Sequence, residues 1–145
     1  MTDWLDILAT PLPTARAIAF VSDPAAGGIA VFLGTTRDEA DAQGHPLVAL
    51  DYEAYTVLAN RQLTELAHHA RQKWPILKLA LLHRTGRVGL AEPSVLIAVS
   101  TPHRGESFEA CRWLIDTLKA EVAIWKKEVW SDGSTTWVDP TPPNP

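Results

Sequence analysis

Between His103 and Lys127 the chain sets a histidine and five cationic side chains, Arg104, Arg112, Lys119, Lys126 and Lys127. His103 and Arg104 follow an apolar strand-like run, Val95 to Val99, and open a helix-like one. A helix N-terminus offers unpaired backbone N–H groups and the positive end of the helix dipole. An arginine there can hold a phosphate through two parallel hydrogen bonds. The competing reading is an incidental basic pair in a solvated loop. Lys119 falls within about 40° of Phe108 and Ile115 on a helical wheel, along the margin of an apolar stripe. Partial burial there would lower its basicity and suit it to proton transfer near neutral pH. A snorkelling lysine with its head in water fits the same spacing.

Arg112 shares that helix face, and pairing with Glu109 or Asp116 is its favoured reading. Lys126 and Lys127 adjoin on a strand and must face opposite sides, so one joins the site and the other is solvated. Arg37 follows an apolar strand and Gly34, a position where backbone can approach a ligand closely; pairing with Asp38 or Glu39 is the plain alternative. Cys111 lies within the apolar stripe, with no base beside it, and reads as a small core residue. Metal ligation is not expected. His68 and His69 are consecutive and diverge on a helix, and Cys-x-x-Cys and His-Glu-x-x-His spacings are absent. Gly27-Gly28 lacks the Lys-Ser/Thr of a phosphate-binding P-loop, and no nucleophile-elbow glycine-serine motif is present.

The elements that must position these groups are legible in outline. Residues 12–22 read as a short helix with Pro13 in its first turn. Ile29 to Leu33 is a buried strand, and Thr35 to Asp38 form the loop after it. Residues 48–54 alternate as a strand, and 57–73 form a helix stopped by Pro75. Leu77, Leu79 and Leu81 alternate on a further strand, followed by a turn marked by Gly86 and Gly89. A helix over about 104–121 buries Phe108, Cys111, Ile115, Leu118 and Val122. Ile124 to Trp130 and Thr135 to Asp139 form a hairpin around Ser131-Asp132-Gly133. This order predicts one α+β domain, residues 1–139, and an extended Pro-rich tail, 140–145.

The 145 residues suffice for one domain with a real core. A formal net charge of −4 argues against a general nucleic-acid binder, and a local basic cluster within it suggests a small anionic ligand. No apolar run reaches the roughly 20 residues of a membrane span. The opening MTDWLDILAT has neither a basic leader nor a long apolar stretch, and is read as carrying no signal peptide. With one cysteine, no internal disulfide can form, and a cytoplasmic location is expected.

Taken in order, GGIAVFLGTTRD (27–38), LDYEAY (50–55), KWP (73–75), HRTGRVGL (83–90), VSTPHRGESFEAC (99–111), LIDTLKAEVAIWKKE (114–128) and WV (137–138) resemble the MoaE family, the catalytic subunits of molybdopterin synthase. The resemblance implies a hammerhead-like α+β fold with an antiparallel sheet and packed helices, assembled as a homodimer. It implies a ubiquitin-like, MoaD-like sulfur carrier whose C-terminal Gly-Gly thiocarboxylate enters the site. Two such sulfurs convert cyclic pyranopterin monophosphate into a dithiolene, with no metal or organic cofactor. By position, the resemblance assigns catalysis to Lys119 and Lys126. Substrate binding falls to Arg37, His103 and Arg104, to backbone groups around Thr35 and Thr36, and to Lys127 and Glu128 in the matching IWKKE segment. Thr35 stands where some relatives have lysine, and Pro140 follows where some carry an arginine contributed across the dimer. The alternative is a non-catalytic module that binds a phosphorylated pterin or a ubiquitin-like partner.

Overall fold

A computed structural model describes residues 2–138. Two four-stranded sheets and three helices make up the described residues. In order they are β1 (Asp3–Leu8), α1 (Thr14–Val21), β2 (Gly28–Thr35), β3 (Leu47–Ala54), α2 (Thr56–Lys73), β4 (Lys78–Arg84), β5 (Gly86–Gly89), β6 (Pro93–Thr101), α3 (Arg104–Glu121), β7 (Ile124–Trp130) and β8 (Thr135–Trp137).

The first sheet runs β1-β4-β6-β2. Its central strands are apolar at nearly every position because helices cover both faces. Leu79, Leu81, Ile97 and Val99 pack under α2 and α3, while Ala80, Leu82, Leu96 and Ala98 pack under α1. On α2, Ala59, Leu63, Leu66, Ala67 and Ala70 supply the buried stripe. The helix ends at Trp74, whose extended backbone leads into Pro75.

The second sheet runs β5-β3-β7-β8. β3 pairs antiparallel with β7, placing Tyr52 opposite Lys126 and Leu50 opposite Glu128. The expected antiparallel layer is therefore present, with one exception. β1 pairs parallel with β4, Asp3 opposite Leu79 through Leu8 opposite Arg84. Neither β1 nor β5 is marked by the local sequence pattern. The Gly86 to Gly89 segment, read as a turn, forms the edge strand β5 on β3. Thr35, read as loop, is the last residue of β2. The tail expected at 140–145, and Asp139 at the end of the last expected strand, lie outside the described residues.

Candidate active site

The start of α3 is built by two glycines. β6 ends at Thr101, and the Gly27 N–H donates to the carbonyls of Thr101 and Pro102, both at 3.1 Å. The Thr101 hydroxyl donates to the His103 carbonyl at 2.6 Å, and Ser107 donates to the Arg104 carbonyl at 2.8 Å. These bonds fix the backbone while the side chains of His103, the N-cap residue, and Arg104 remain exposed. With Gly27, Pro102, Gly105 and Phe108 they line an open depression of about 470 Å³. Among the described residues neither side chain makes an ion pair. Phe108 corrects an expectation. It is 63% exposed at the rim, and the buried stripe of α3 runs through Ser107, Ala110, Cys111, Leu114, Ile115 and Leu118. The strand-facing position at the first turn must be small, because β2 passes close to it.

The far end of α3 carries a different cluster. Lys119 lies exposed in the last turn, beside buried Leu118. Lys126 and Lys127 face opposite sides of β7, as strand alternation requires. Lys127 sits over the Trp137 ring at 5.1 Å and its charge reaches Asp51. Lys126 turns to the other side, where its charge and that of Lys119 act on His83. His83 is 5% exposed, its Nδ1 is 2.8 Å from the Arg84 carbonyl, and the Tyr52 ring stands edge-on to it at 5.0 Å. Burial first, and the two ammonium groups in addition, push its basicity down to about 4, against an opposing contribution from the Arg84 carbonyl. The imidazole is neutral near pH 7. Because a carbonyl only accepts, Nδ1 carries the proton and Nε2 is left as an acceptor.

Glu128 shares the Lys126 side of β7. Burial, then a hydrogen bond and charge repulsion from Glu39, hold its carboxyl above the ordinary range, while Lys126 pulls the other way. Glu39 also approaches Arg37 at 3.9 Å, which draws that 87%-exposed arginine's loop to this end of the molecule. The pairing with Glu39 thus matches the plainer of the two expectations for Arg37. Thr35 is exposed at the end of β2. The Thr36 N–H donates to the Glu92 carbonyl at 3.3 Å, its carbonyl accepts from Ala91 at 2.8 Å, and its buried hydroxyl has no partner. Its backbone N–H is thus occupied within the fold. Gly34 is small for packing: a methyl group there would meet Val95 Cγ1 at 2.5 Å. Arg112 pairs with Asp116 at 3.8 Å, as favoured, and Cys111 is buried, its thiol pushed up to about 11 by burial.

The nine site candidates therefore divide between two ends. β2 and β6 pair antiparallel, with Gly28 opposite Thr101 at one end and Thr35 opposite Pro93 at the other. His103 and Arg104 belong to the first end. Thr35, Thr36, Arg37, Lys119, Lys126 and Glu128 belong to the second, while Lys127 faces away on the outer side of β7. At about 1.5 Å per residue, the helical rise from Arg104 to Lys119 is about 22 Å. A single chain does not bring the two sets together. The sequence reading missed His83 and Tyr52. The alternation of Leu77, Leu79 and Leu81, continued by one step, places 83 on the face that meets α3, and a histidine there was the available signal.

Among the described residues, no group of three or more His, Cys, Asp or Glu side chains is arranged to hold a metal. No helix among them is long and apolar enough to cross a membrane. Fold and site together define a mixed α+β protein that offers an open cationic cradle at one end of a helix and a lysine cluster over a neutral imidazole at the other. The chain belongs to the MoaE family, whose model, described as MoaE protein, matches residues 7–121. It is 42% identical over 137 residues to the molybdopterin synthase catalytic subunit of a Nostoc species, covering 94% of this chain and 82% of that one. Among solved structures it resembles molybdopterin synthase from Staphylococcus aureus, with a TM-score of 0.86, 32% identity, and coverage of 92% and 96%. It shares its fold with a chain in the complex of subunits 1 and 2 of molybdopterin-converting factor from Helicobacter pylori, with a TM-score of 0.77, 20% identity, and coverage of 95% and 92%.

Proposed function

We propose that this chain is the catalytic subunit of a molybdopterin synthase. It moves sulfur from the C-terminal thiocarboxylate of a small ubiquitin-like carrier to cyclic pyranopterin monophosphate, in a reducing cytoplasm. The observation that carries this reading is the pair of lysines, Lys119 and Lys126, which among the described residues make no ion pair and whose charges converge on one buried imidazole. Ammonium groups not neutralised by a carboxylate can stabilise negative charge as the thiocarboxylate sulfur attacks, and can pass a proton to a leaving oxygen. His103 and Arg104, in their open cradle, suit a phosphate. Arg37 extends the cationic surface at the lysine end. The buried thiol of Cys111 is poorly suited to carrying sulfur, which agrees with sulfur arriving on a partner.

A homodimer fits the division of the site. The substrate is far smaller than the length of α3, so the cradle of one copy must meet the lysines of another to act on one molecule. β2 is an edge strand, and its outward Ile29, Val31 and Leu33 are 41%, 39% and 37% exposed. A two-fold axis near the middle of β2 would set the Gly28 end of one copy beside the Thr35 end of the other. The small-subunit partner is supported by the subunit complex described for the Helicobacter relative.

The test is a turnover assay with cyclic pyranopterin monophosphate and a thiocarboxylated carrier, the dithiolene being detected by mass. Native protein should give product, and Lys119→Ala should lose about 100-fold or more of the rate. No product from either chain, with a carrier shown to bind, would leave a binding module. Equal product from both would remove Lys119 from the mechanism.

A further inference from the structure

Phe108 is a large apolar side chain that the core does not use. It is 63% exposed, while Ser107 and Cys111 beside it on α3 take the buried positions. One exposed phenylalanine is ordinary on any protein surface. This one lines the depression at the start of α3 together with His103 and Arg104. Arg104 and Phe108 stand at i and i+4, so their side chains rise from one helix face a single turn apart. Among the described residues no other aromatic ring packs on Phe108 and no cation sits over it. The rest of the lining is Gly27, Pro102 and Gly105, and a methyl group added at Gly105 would meet nothing within 4 Å. The floor is therefore bare, beside an open aromatic face. At about 470 Å³ the depression has the volume of a small-molecule site, and a phosphate held by Arg104 would fill only a small part of it.

We propose that Phe108 is a specificity-determining residue: its ring stacks on the flat pterin of the substrate while His103 and Arg104 hold the phosphate. The role deepens the sulfur-transfer reading and rests on it. A histidine and an arginine in an open cradle would accept any phosphate ester, sugar phosphates included, because their contacts do not depend on what the phosphate is attached to. An aromatic face one helical turn away supplies the missing discrimination. It favours a planar heteroaromatic ring over an aliphatic one, and needs no hydrogen-bonding side chains from the bare floor to do so.

Calorimetric binding to the full chain tests this without requiring turnover, using glycerol 3-phosphate and 6-hydroxymethylpterin monophosphate as probes. Native protein should bind the pterin ester about ten-fold more tightly than the glycerol ester. Phe108→Leu keeps an apolar side chain but has no ring. It should lose that preference and bind glycerol 3-phosphate as the native protein does. Phe108→Tyr should restore the preference, and Arg104→Ala should weaken both ligands alike. Phe108 and Arg104 are exposed, so these replacements leave the core intact. Three results would overturn the proposal: no preference in the native protein, an undiminished preference in Phe108→Leu, or equal weakening of both probes by that variant. A less stable dimer in Phe108→Leu with the pterin preference unchanged would assign the ring to an interface between copies and overturn it too. In the turnover assay Phe108→Leu should raise KM for the pterin substrate about ten-fold with kcat nearly unchanged. A native protein that prefers the pterin ester but gives no turnover would sink the sulfur-transfer reading and leave Phe108 its role. Turnover without that preference would do the reverse.

Discussion

Gly28 and Arg104 are in near contact: a methyl group on the glycine would come within 2.8 Å of the Arg104 Cα and 3.1 Å of its nitrogen. The first residue of β2 is thus the floor on which the first turn of α3 rests. The adjoining Gly27 would place a methyl group against the Pro102 carbonyl oxygen. The glycine pair is required by packing and serves the cradle by setting where Arg104 starts.

Gly28→Ala should therefore push the helix start away from the strand. Overpacking of this kind costs about 1–3 kcal/mol, read as a lower urea midpoint at constant slope. Inorganic phosphate, used as a probe of the cradle, should protect native protein against thermal unfolding more than it protects the variant. An alanine variant with native stability and native phosphate protection would show that the contact is easily relaxed.

The elements whose signals are local were legible in the sequence. α2 and α3, the apolar strands β4 and β6, and the β7–β8 hairpin follow from periodicity and turn residues alone. β1 was not, because its partner is β4, more than seventy residues on, and a parallel edge pairing leaves no short-range mark. Phe108 misled for a related reason. Hydrophobicity favours it over Ser107 as the core residue, but the close approach of Gly28, whose added methyl would lie 3.1 Å from the Ser107 hydroxyl, reserves that position for a small side chain. The cationic residues of the site were found by type and spacing. Their division between two ends was implicit in the helix read over about 104–121, whose length sets Arg104 and Lys119 about 22 Å apart. His83 went unread because a buried neutral imidazole looks like core until the lysines around it are placed.

Cys111 gives a second test. With its thiol pushed up to about 11, it should react with iodoacetamide at pH 8 about 100-fold more slowly than an ordinary cysteine, since each unit costs ten-fold in thiolate. Cys111→Ser should lose about 1–3 kcal/mol of stability, because a buried hydroxyl needs a partner, and should keep sulfur transfer within a few-fold of native. Loss of turnover in a serine variant that melts like the native protein would instead make Cys111 a sulfur carrier.

The loop before β3 provides a pH dependence. His45 Nδ1 lies 3.0 Å from Asp41 Oδ2 and 3.7 Å from Asp132 Oδ2, tying this loop to the β7–β8 turn. The Asp41 hydrogen bond, outweighing desolvation, and the charges of both aspartates raise His45 above its ordinary value of 6.5. A histidine raised by folding contributes stability that is fully present below the unfolded value and is lost as pH rises through the folded one. The Tm difference between native protein and His45→Gln should thus be larger at about pH 5.5 than at about pH 8.5. An equal difference at both would show that the contact does not titrate.

The division of the site between two ends of α3 leads to the most demanding prediction. Arg104→Ala and Lys119→Ala each change an exposed side chain, so both variants should fold, dimerise and be nearly inactive. If each site takes its cradle from one copy and its lysines from the other, a mixed dimer holds one site with both defects and one with neither. Unfolding the two variants together and refolding them as an equal mixture should make about half of the dimers mixed, and so restore about a quarter of native turnover. The double variant refolded with an equal amount of native chain supplies the reverse control: its mixed dimers have a single defect in each site, so turnover should fall from about the half carried by the native chains to about the quarter carried by native homodimers. A rise to about a quarter in the first mixture together with a fall to about a quarter in the second would establish a site shared between copies. No recovery in the first, with the second holding at about half of native turnover, would mean that cradle and lysines act within one chain, and the roughly 22 Å between them would then have to be spanned by the substrate and the carrier tail together.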